Sequence, residues 1–422
     1  MKNIIILSVG ICYLLFFHNN SNAQVFSWQQ KADYGGGETY DPFWFTINGK
    51  AYVGAGISLG GSPQTVIYKQ DFWEFDPSAN VWTQKANFLG SGRYGARGFS
   101  INGFGYAGTG WTPAATSSFY KYDPSLNIWS PITSFLGSAR YTATSFELAG
   151  KGYIGLGYAP CKNDFWSYDP VTDSWAQVAS FPGTSRQAAS VFTIGLKAYV
   201  GLGACSGSLF NDFASYDPIN NTWLPIASFP GGARNGAYSF SIDHYGFVGL
   251  GFDYASTGNP FNFYSDFWMY DEVADSWSLI PVNFPGKARV QGMYFTLNNK
   301  GYLGLGSDTI FYTHYLTDVW EFNFTPSAIN ELNHTPFYAS SIFPNPASEF
   351  ITLQLNGKQN LLAKDVIEIQ NTAGRIVYYH ELLSPSEKTI LDVSNFSNGI
   401  HVITVKRNNT IVASNKFLIS NN

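Results

Sequence analysis

Lys151-Gly152-Tyr153-Ile154-Gly155-Leu156-Gly157, followed by Tyr168-Asp169-Pro170 and then Trp175, is the stretch on which the fold turns. The same marks recur in the same order along the chain. Glycine pairs stand at Gly54/Gly56, Gly108/Gly110, Gly155/Gly157, Gly201/Gly203, Gly249/Gly251 and Gly304/Gly306. Two residues before each pair is an aromatic ring: Tyr52, Tyr106, Tyr153, Tyr199, Phe247 and Tyr302. A turn follows as Phe75-Asp76-Pro77, Tyr122-Asp123-Pro124, Tyr168-Asp169-Pro170, Tyr216-Asp217-Pro218, Tyr270-Asp271 and Phe322-Asn323. Tryptophan recurs at Trp28, Trp82, Trp129, Trp175, Trp223 and Trp277, at spacings of 46 to 54 residues. Self-similarity at such a period identifies a repeat architecture, here of six units.

Each unit reads as four short strands, with Asp-Pro and Asn-Gly pairs such as Asn48-Gly49 supplying the reversals. An antiparallel four-stranded sheet repeated around an axis is a propeller blade, an arrangement that leaves only short edges. The sixth unit lacks a tryptophan strand, and the chain begins with an orphan one, Phe26-Ser27-Trp28. The N-terminal strand is therefore expected to complete the last blade. Over residues 24–324 the repeats resemble the kelch family, whose units carry an arginine, a glycine doublet, an aromatic before it and a spaced tryptophan. The doublet departs from that pattern, being Gly-Leu-Gly rather than two adjacent glycines. The expected fold class is all-β: a six-bladed kelch-type propeller, with a small immunoglobulin-like β-sandwich after it.

Composition agrees with this class. Of 422 residues only 13% are charged while 18% are aromatic, and 42 are glycine, the profile of short strands and tight turns. A net charge of -5 with no basic block excludes a nucleic-acid or anionic-membrane partner. Lys2, the apolar run Ile4 to Phe17 and the small pair Ser21 and Ala23 read as a signal peptide over 1–23, cleaved before Gln24. That run falls short of the roughly 20 residues of a membrane span, so no transmembrane helix is expected in the mature chain. Cys161 and Cys205 then remain, each shortly after a glycine doublet, and either form a disulfide between neighbouring loops or stay two thiols.

The repeat stops after Phe324, and residues 325–341 read as a linker. Residues 342–422 show period-two alternation over short strands, the pattern of a small β-sandwich. Phe343-Pro344-Asn345-Pro346, Gly374-Arg375, Leu391-Asp392-Val393, Asn398-Gly399 and Lys416-Phe417-Leu418-Ile419 together resemble the C-terminal sorting domain of the type IX secretion system, with His401 where that family usually has tyrosine. The resemblance implies the type IX machinery as a partner, and secretion or attachment to the outer surface of a Gram-negative bacterium.

An arginine lies 17 residues before the second glycine of the doublet in five units, at Arg93, Arg140, Arg186, Arg234 and Arg289; Thr39 takes that place in the first, between Glu38 and Asp41. In kelch propellers this position begins the innermost strand, so the resemblance implies arginines around one mouth of the channel. Guanidinium groups there could bind carboxylates or sugar oxygens. They could equally pair with the aspartates that open the third strands, Asp71, Asp164, Asp212, Asp266 and Asp318, and stitch blade to blade. Long loops over the same mouth, Ile57 to Gln70, Phe252 to Ser265 and Ser307 to Thr317, carry Tyr254, Phe261, Phe263, Tyr264, Phe311, Tyr312 and Tyr315 among polar residues, a mixture suited to sugar rings.

Catalytic patterns are sparse. His244 and His314 lack ligand spacing, and there is no nucleophile elbow, zinc motif or phosphate loop. No metal, cofactor or catalytic residue is expected. The reading is a secreted or cell-surface binding module that takes a glycan or a surface protein at the loop-bearing mouth through Arg93, Arg140, Arg186, Arg234, Arg289, Glu38, Asp41, Tyr254 and Tyr312. The alternative is a carbohydrate-active enzyme, an epimerase or lyase on acidic sugars, by fold-level likeness to the kelch sialic acid mutarotases.

Overall fold

Phe43-Trp44-Phe45-Thr46-Ile47 sets the local rule: Phe43, Phe45 and Ile47 are buried while Trp44 and Thr46 are half-buried. The same alternation recurs in Arg97–Ile101, Thr144–Leu148, Ser190–Ile194 and Met293–Leu297, as expected of strands with one face in a core. In the computed structural model the described residues are 24–60, 65–254, 261–309, 314–326, 340–355, 361, 364–371, 376–382, 388–407 and 410–420. The leader read at 1–23, residues 327–339 of the linker, and Tyr312 lie outside them. The described residues are all-β, with no helix.

Residues 25–325 form six four-stranded antiparallel sheets, apart from small loop hairpins. Sheet 1 runs Phe43–Ile47, Lys50–Gly54, Phe72–Asp76, Val81–Gln84. Sheets 2 to 5 repeat that order, and their inner strands begin at Arg97, Thr144, Ser190 and Tyr238. Sheet 6 has Met293–Leu297, Lys300–Gly304 and Val319–Thr325, and its fourth strand is the N-terminal Val25–Gln30, with Trp28 opposite Phe322. Inner strands neighbour one another in cyclic order, the first also touching the last.

Three devices join the sheets. Aromatic rings of one inner strand press on a glycine of the next sheet: a Cβ on Gly105 would stand 2.2 Å from Phe45, and one on Gly152 2.1 Å from Phe99. Asp41, Gly95, Thr142, Ala188, Gly236 and Gln291 all adopt left-handed backbone, φ 49 to 66°. They form a collar of hydrogen bonds in which Gly95 N donates to Asp41 O, Thr142 N to Gly95 O, Ala188 N to Thr142 O, Gln291 N to Gly236 O and Asp41 N to Gln291 O. Finally, the repeat tryptophans clamp the preceding sheet. Trp82, Trp129, Trp175, Trp223 and Trp277 donate Nε1–H to the carbonyls of Ala32, Ala86, Thr133, Ala179 and Ala227. The N–H of each of those residues is in turn held by Asn80, Asn127, Asp173, Asn221 or Asp275. Trp28 is the exception: the equivalent residue is Pro281, which has no N–H to be held, and the buried Trp28 Nε1 has no partner among the described residues. There the joint is aromatic, with Trp28 about 5 Å from Phe267 and Phe284, centroid to centroid at 5.1 Å in both cases.

After residue 339 a three-stranded sheet (Ser340–Phe343, Phe350–Leu355, Lys388–Asp392) and a four-stranded one (Ile376–Glu381, Val366–Asn371, Gly399–Arg407, Thr410–Ile419) enclose a core that includes Ile351, Leu353, Ile367, Ile369, Ile403, Val405 and Phe417. Asn345 accepts the Leu418 N–H at 2.8 Å, so the Phe-Pro-Asn-Pro segment holds the final strand. His401 is buried between Phe396 and Phe417.

Candidate functional site

The five repeat arginines do not present guanidinium groups to the mouth. All are buried, and four form two-pronged ion pairs with the aspartate of their own sheet. Arg140 meets Asp164 at 2.7 and 2.8 Å, Arg186 meets Asp212 at 2.7 and 2.9 Å, Arg234 meets Asp266 at 2.7 and 3.3 Å, and Arg289 meets Asp318 at 2.6 and 2.7 Å. Arg93 has Ser118 instead, at 2.9 Å. Each guanidinium also lies over a phenylalanine ring, Phe88, Phe135, Phe181, Phe229 or Phe284. Buried and held in this way, the guanidinium groups are committed within their own sheets, with Arg234 Nε buried and unpartnered among the described residues. Burial pushes the Asp164 and Asp318 carboxyls up, but the hydrogen bonds from their arginines and from Trp166 and Trp320 outweigh it and hold both below the usual carboxylate range.

The arginine backbone adds a fourth link between sheets. The carbonyls of Arg93, Arg140, Arg186, Arg234 and Arg289 accept from the second doublet glycine of the preceding sheet, Gly56, Gly110, Gly157, Gly203 and Gly251. In sheet 1, Thr39 replaces arginine and Lys69 fills the space, its Nζ 2.7 Å from Thr39 Oγ1 and 2.6 Å from Gly36 O; burial lowers its pKa.

The other expected residues scatter. Glu38 is exposed on a groove with Lys287, His314 and Thr317, where Asp308 bridges Lys287 Nζ (2.9 Å) and His314 Nδ1 (2.7 Å). Tyr254 is half exposed and leans on Phe252 and Phe261. Asp41 is buried in the collar, paired with Arg97 at 2.9 Å. Burial raises its carboxyl pKa, against the pull of Arg97. Cys161 and Cys205 are joined in a disulfide, tying the mouth loops of sheets 3 and 4.

What the mouth does expose is a run of aromatic rings. Tyr68 lies 6.4 Å from Tyr94, Tyr94 5.6 Å from Tyr141, and Tyr141 5.2 Å from Trp111 and 5.5 Å from Tyr158. All five are half-buried or exposed, and they cross the loops of sheets 1, 2 and 3. They escaped the sequence reading although a signal existed. Tyr94 and Tyr141 directly follow repeat arginines, and Trp111 and Tyr158 directly follow doublet glycines.

Beneath the collar, alternate inner-strand residues line a channel. Arg97, Trp44 and Tyr294 cross its upper end, with Arg97 over the Trp44 ring and Trp44 4.7 Å from Tyr294. Above them is space for about one water, 10 Å³; below them is a cavity of 250 Å³. Among the described residues no three His, Cys, Asp or Glu side chains converge to hold a metal, and no helix is long and apolar enough to cross a membrane.

Residues 341–420 match the family described as the secretion system C-terminal sorting domain, which indicates secretion or attachment at the cell surface and points to the secretion machinery as a partner. A solved β-propeller titled "Structure of YjhT" is similar in fold, with TM-score 0.59 at 16% identity over 68% of this chain and 95% of that one. No curated protein matches the sequence.

Proposed function

We propose that the chain is a secreted or cell-surface binding module that recognises a glycan at the loop-bearing mouth of a six-bladed kelch-type propeller. In this reading residues 1–23 are the leader and 24–324 the propeller, closed by its N-terminal strand. Residues 325–341 are the linker and 342–422 the sorting sandwich. The six-sheet repeat, the cyclic order of the inner strands and the pairing of Val25–Gln30 with Val319–Thr325 support it.

The aromatic run from Tyr68 to Tyr158 carries the glycan reading. The rings meet mostly edge to face and offer aromatic surface on which the apolar faces of sugars stack, while loop polar groups take their hydroxyls. A glycan array probed with the mature full-length chain, beside Trp111→Ala and Tyr141→Ala, tests it. Each lost stacking surface is worth about 1 kcal/mol, so roughly five- to tenfold weaker binding is expected from each variant. No glycan bound, or equal binding by both variants, overturns the reading, and a protein ligand then becomes the object of search. The carbohydrate-active enzyme is the second reading. It rests on the groove where Glu38 shares walls with an aspartate-held His314, and turnover of a bound glycan lost in His314→Ala would favour it.

A further inference from the structure

The channel cavity has a charged side chain at each end, Arg97 in its ion pair with Asp41 above and Glu147 below. Arg97 closes the upper end: its Nε donates to Ala143 O, and its Nη1 to Asp41 Oδ1 and Ala96 O. Among the described residues its Nη2 has no hydrogen-bond partner, although the residue is only 7% exposed. The other five sheets hold Phe43, Thr144, Ser190, Tyr238 and Met293 at this position, so the guanidinium is not part of the repeat's architecture. Glu147 stands at the lower end; one carboxylate oxygen accepts from Gly150 N and the other has no partner.

Glu147, Thr46 and Ser100 line the cavity and also a second space of 240 Å³, bounded by the hairpin turns at Asn48, Asn102 and Gly150. The cavity therefore opens on the face away from the long loops, and is blocked toward the mouth by Arg97, Trp44 and Tyr294. Between its charged ends the walls carry hydroxyls of Thr46, Ser100, Ser145, Thr193, Ser241 and Thr296.

Arg97 and Thr144 occupy the same register, each opposite the first doublet glycine of its sheet, and Glu147 is three residues beyond Thr144. At about 3.3 Å per residue the backbone levels of Arg97 and Glu147 are roughly 10 Å apart along the channel. Three extended peptide residues span about 10 Å between their ends.

We propose that this channel is a second binding site, for a short zwitterionic peptide of about three residues. The peptide enters from the hairpin face, its carboxylate on Arg97 Nη2 and its ammonium at Glu147. The wall hydroxyls meet its amide groups, those of Ser145 and Thr296 as acceptors only, since they already donate to Gly98 O and Ser241 O. The site does not depend on what the mouth binds.

Calorimetric titration of the mature full-length chain with triglycine tests it, beside N-acetyl-triglycine and triglycine amide. Triglycine binds, and blocking either end weakens binding at least tenfold. Glu147→Gln, at the half-exposed end, reproduces the loss seen with the acetylated peptide. Thr193→Phe fills the channel and abolishes binding. Arg97→Gln is made with Asp41→Asn so that no buried carboxylate is stranded, and it reproduces the loss seen with the amide. Should that pair fail to fold, the capped peptides and Glu147→Gln decide alone. No saturable triglycine binding, or a blocked peptide binding as well as the free one, overturns the proposal.

Discussion

Asp164→Ala removes one half of a buried ion pair and leaves the other where it was. Arg140 is fully buried, while the Asp164 side chain is 22% exposed. The carboxylate accepts from both terminal guanidinium nitrogens and from Trp166 Nε1 at 2.7 Å. Stranding a buried charge costs about 3 to 5 kcal/mol. Because water can reach the vacated carboxylate position, the lower end applies, about 3 kcal/mol. Sheet 2 shows the milder version, with Arg93 held by Ser118 at 2.9 Å. Asp164→Ser regains one such bond, worth about 1 kcal/mol, and is expected to cost about 2 kcal/mol. Urea unfolding of the full chain, followed by tryptophan fluorescence, reads both values. A loss under 1 kcal/mol in Asp164→Ala, accompanied by loss of ligand binding, would show that the arginines serve recognition rather than architecture.

Other consequences can be measured in the same way. Cys161→Ser/Cys205→Ser opens a loop of 44 residues and should lower stability by about 3 kcal/mol, with the oxidised wild type as reference. Gly203→Ala sets a Cβ 2.5 Å from Gln187 O at φ +91°, and a destabilisation above about 2 kcal/mol is expected in urea melts; a neutral result would mean this backbone contact is easily relaxed. Asp164 and Asp318 have folded-state pKa values below the ordinary one, so their stabilisation is present above about pH 4 and lost as pH falls through the folded values. The urea midpoint should drop below pH 4, and Asp164→Ser/Asp318→Ser should flatten that drop.

Much of the architecture could be read directly from the repeat. The doublet glycines, the Asp-Pro turns and the orphan Trp28 mark where strands end and which strand the last sheet lacks. The spacing allowed the arginines either to face a ligand or to pair with the third-strand aspartates, because a residue at a strand entrance has the same spacing whether its side chain points to solvent or inward; the pairing is found, within each sheet rather than from sheet to sheet. The deciding partner, such as Asp266 for Arg234, lies 32 residues on, across a loop of variable length. Arg97 and Asp41 were open to discovery by comparing repeats position by position, since each replaces an uncharged residue in the other five sheets. Their contact was not, because it crosses from one repeat to the next and depends on the collar. The aromatic run was hidden similarly: its members belong to three repeats, and only the packing of neighbouring loops brings them together.

Val25–Gln30 completes a sheet whose other strands begin at residue 293. Residues 25–30 thus have no sheet partner until nearly the whole chain has followed them from the ribosome. Contacts so distant in sequence form slowly and late. A protein that must pass through a membrane thereby gains a built-in delay: sheets 1 to 5 can form early, but the strand nearest the front end stays loose until residues 319–325 arrive. The sorting domain, residues 341–420, follows that last strand, so the export label is complete only after the strand that closes the last sheet has been made.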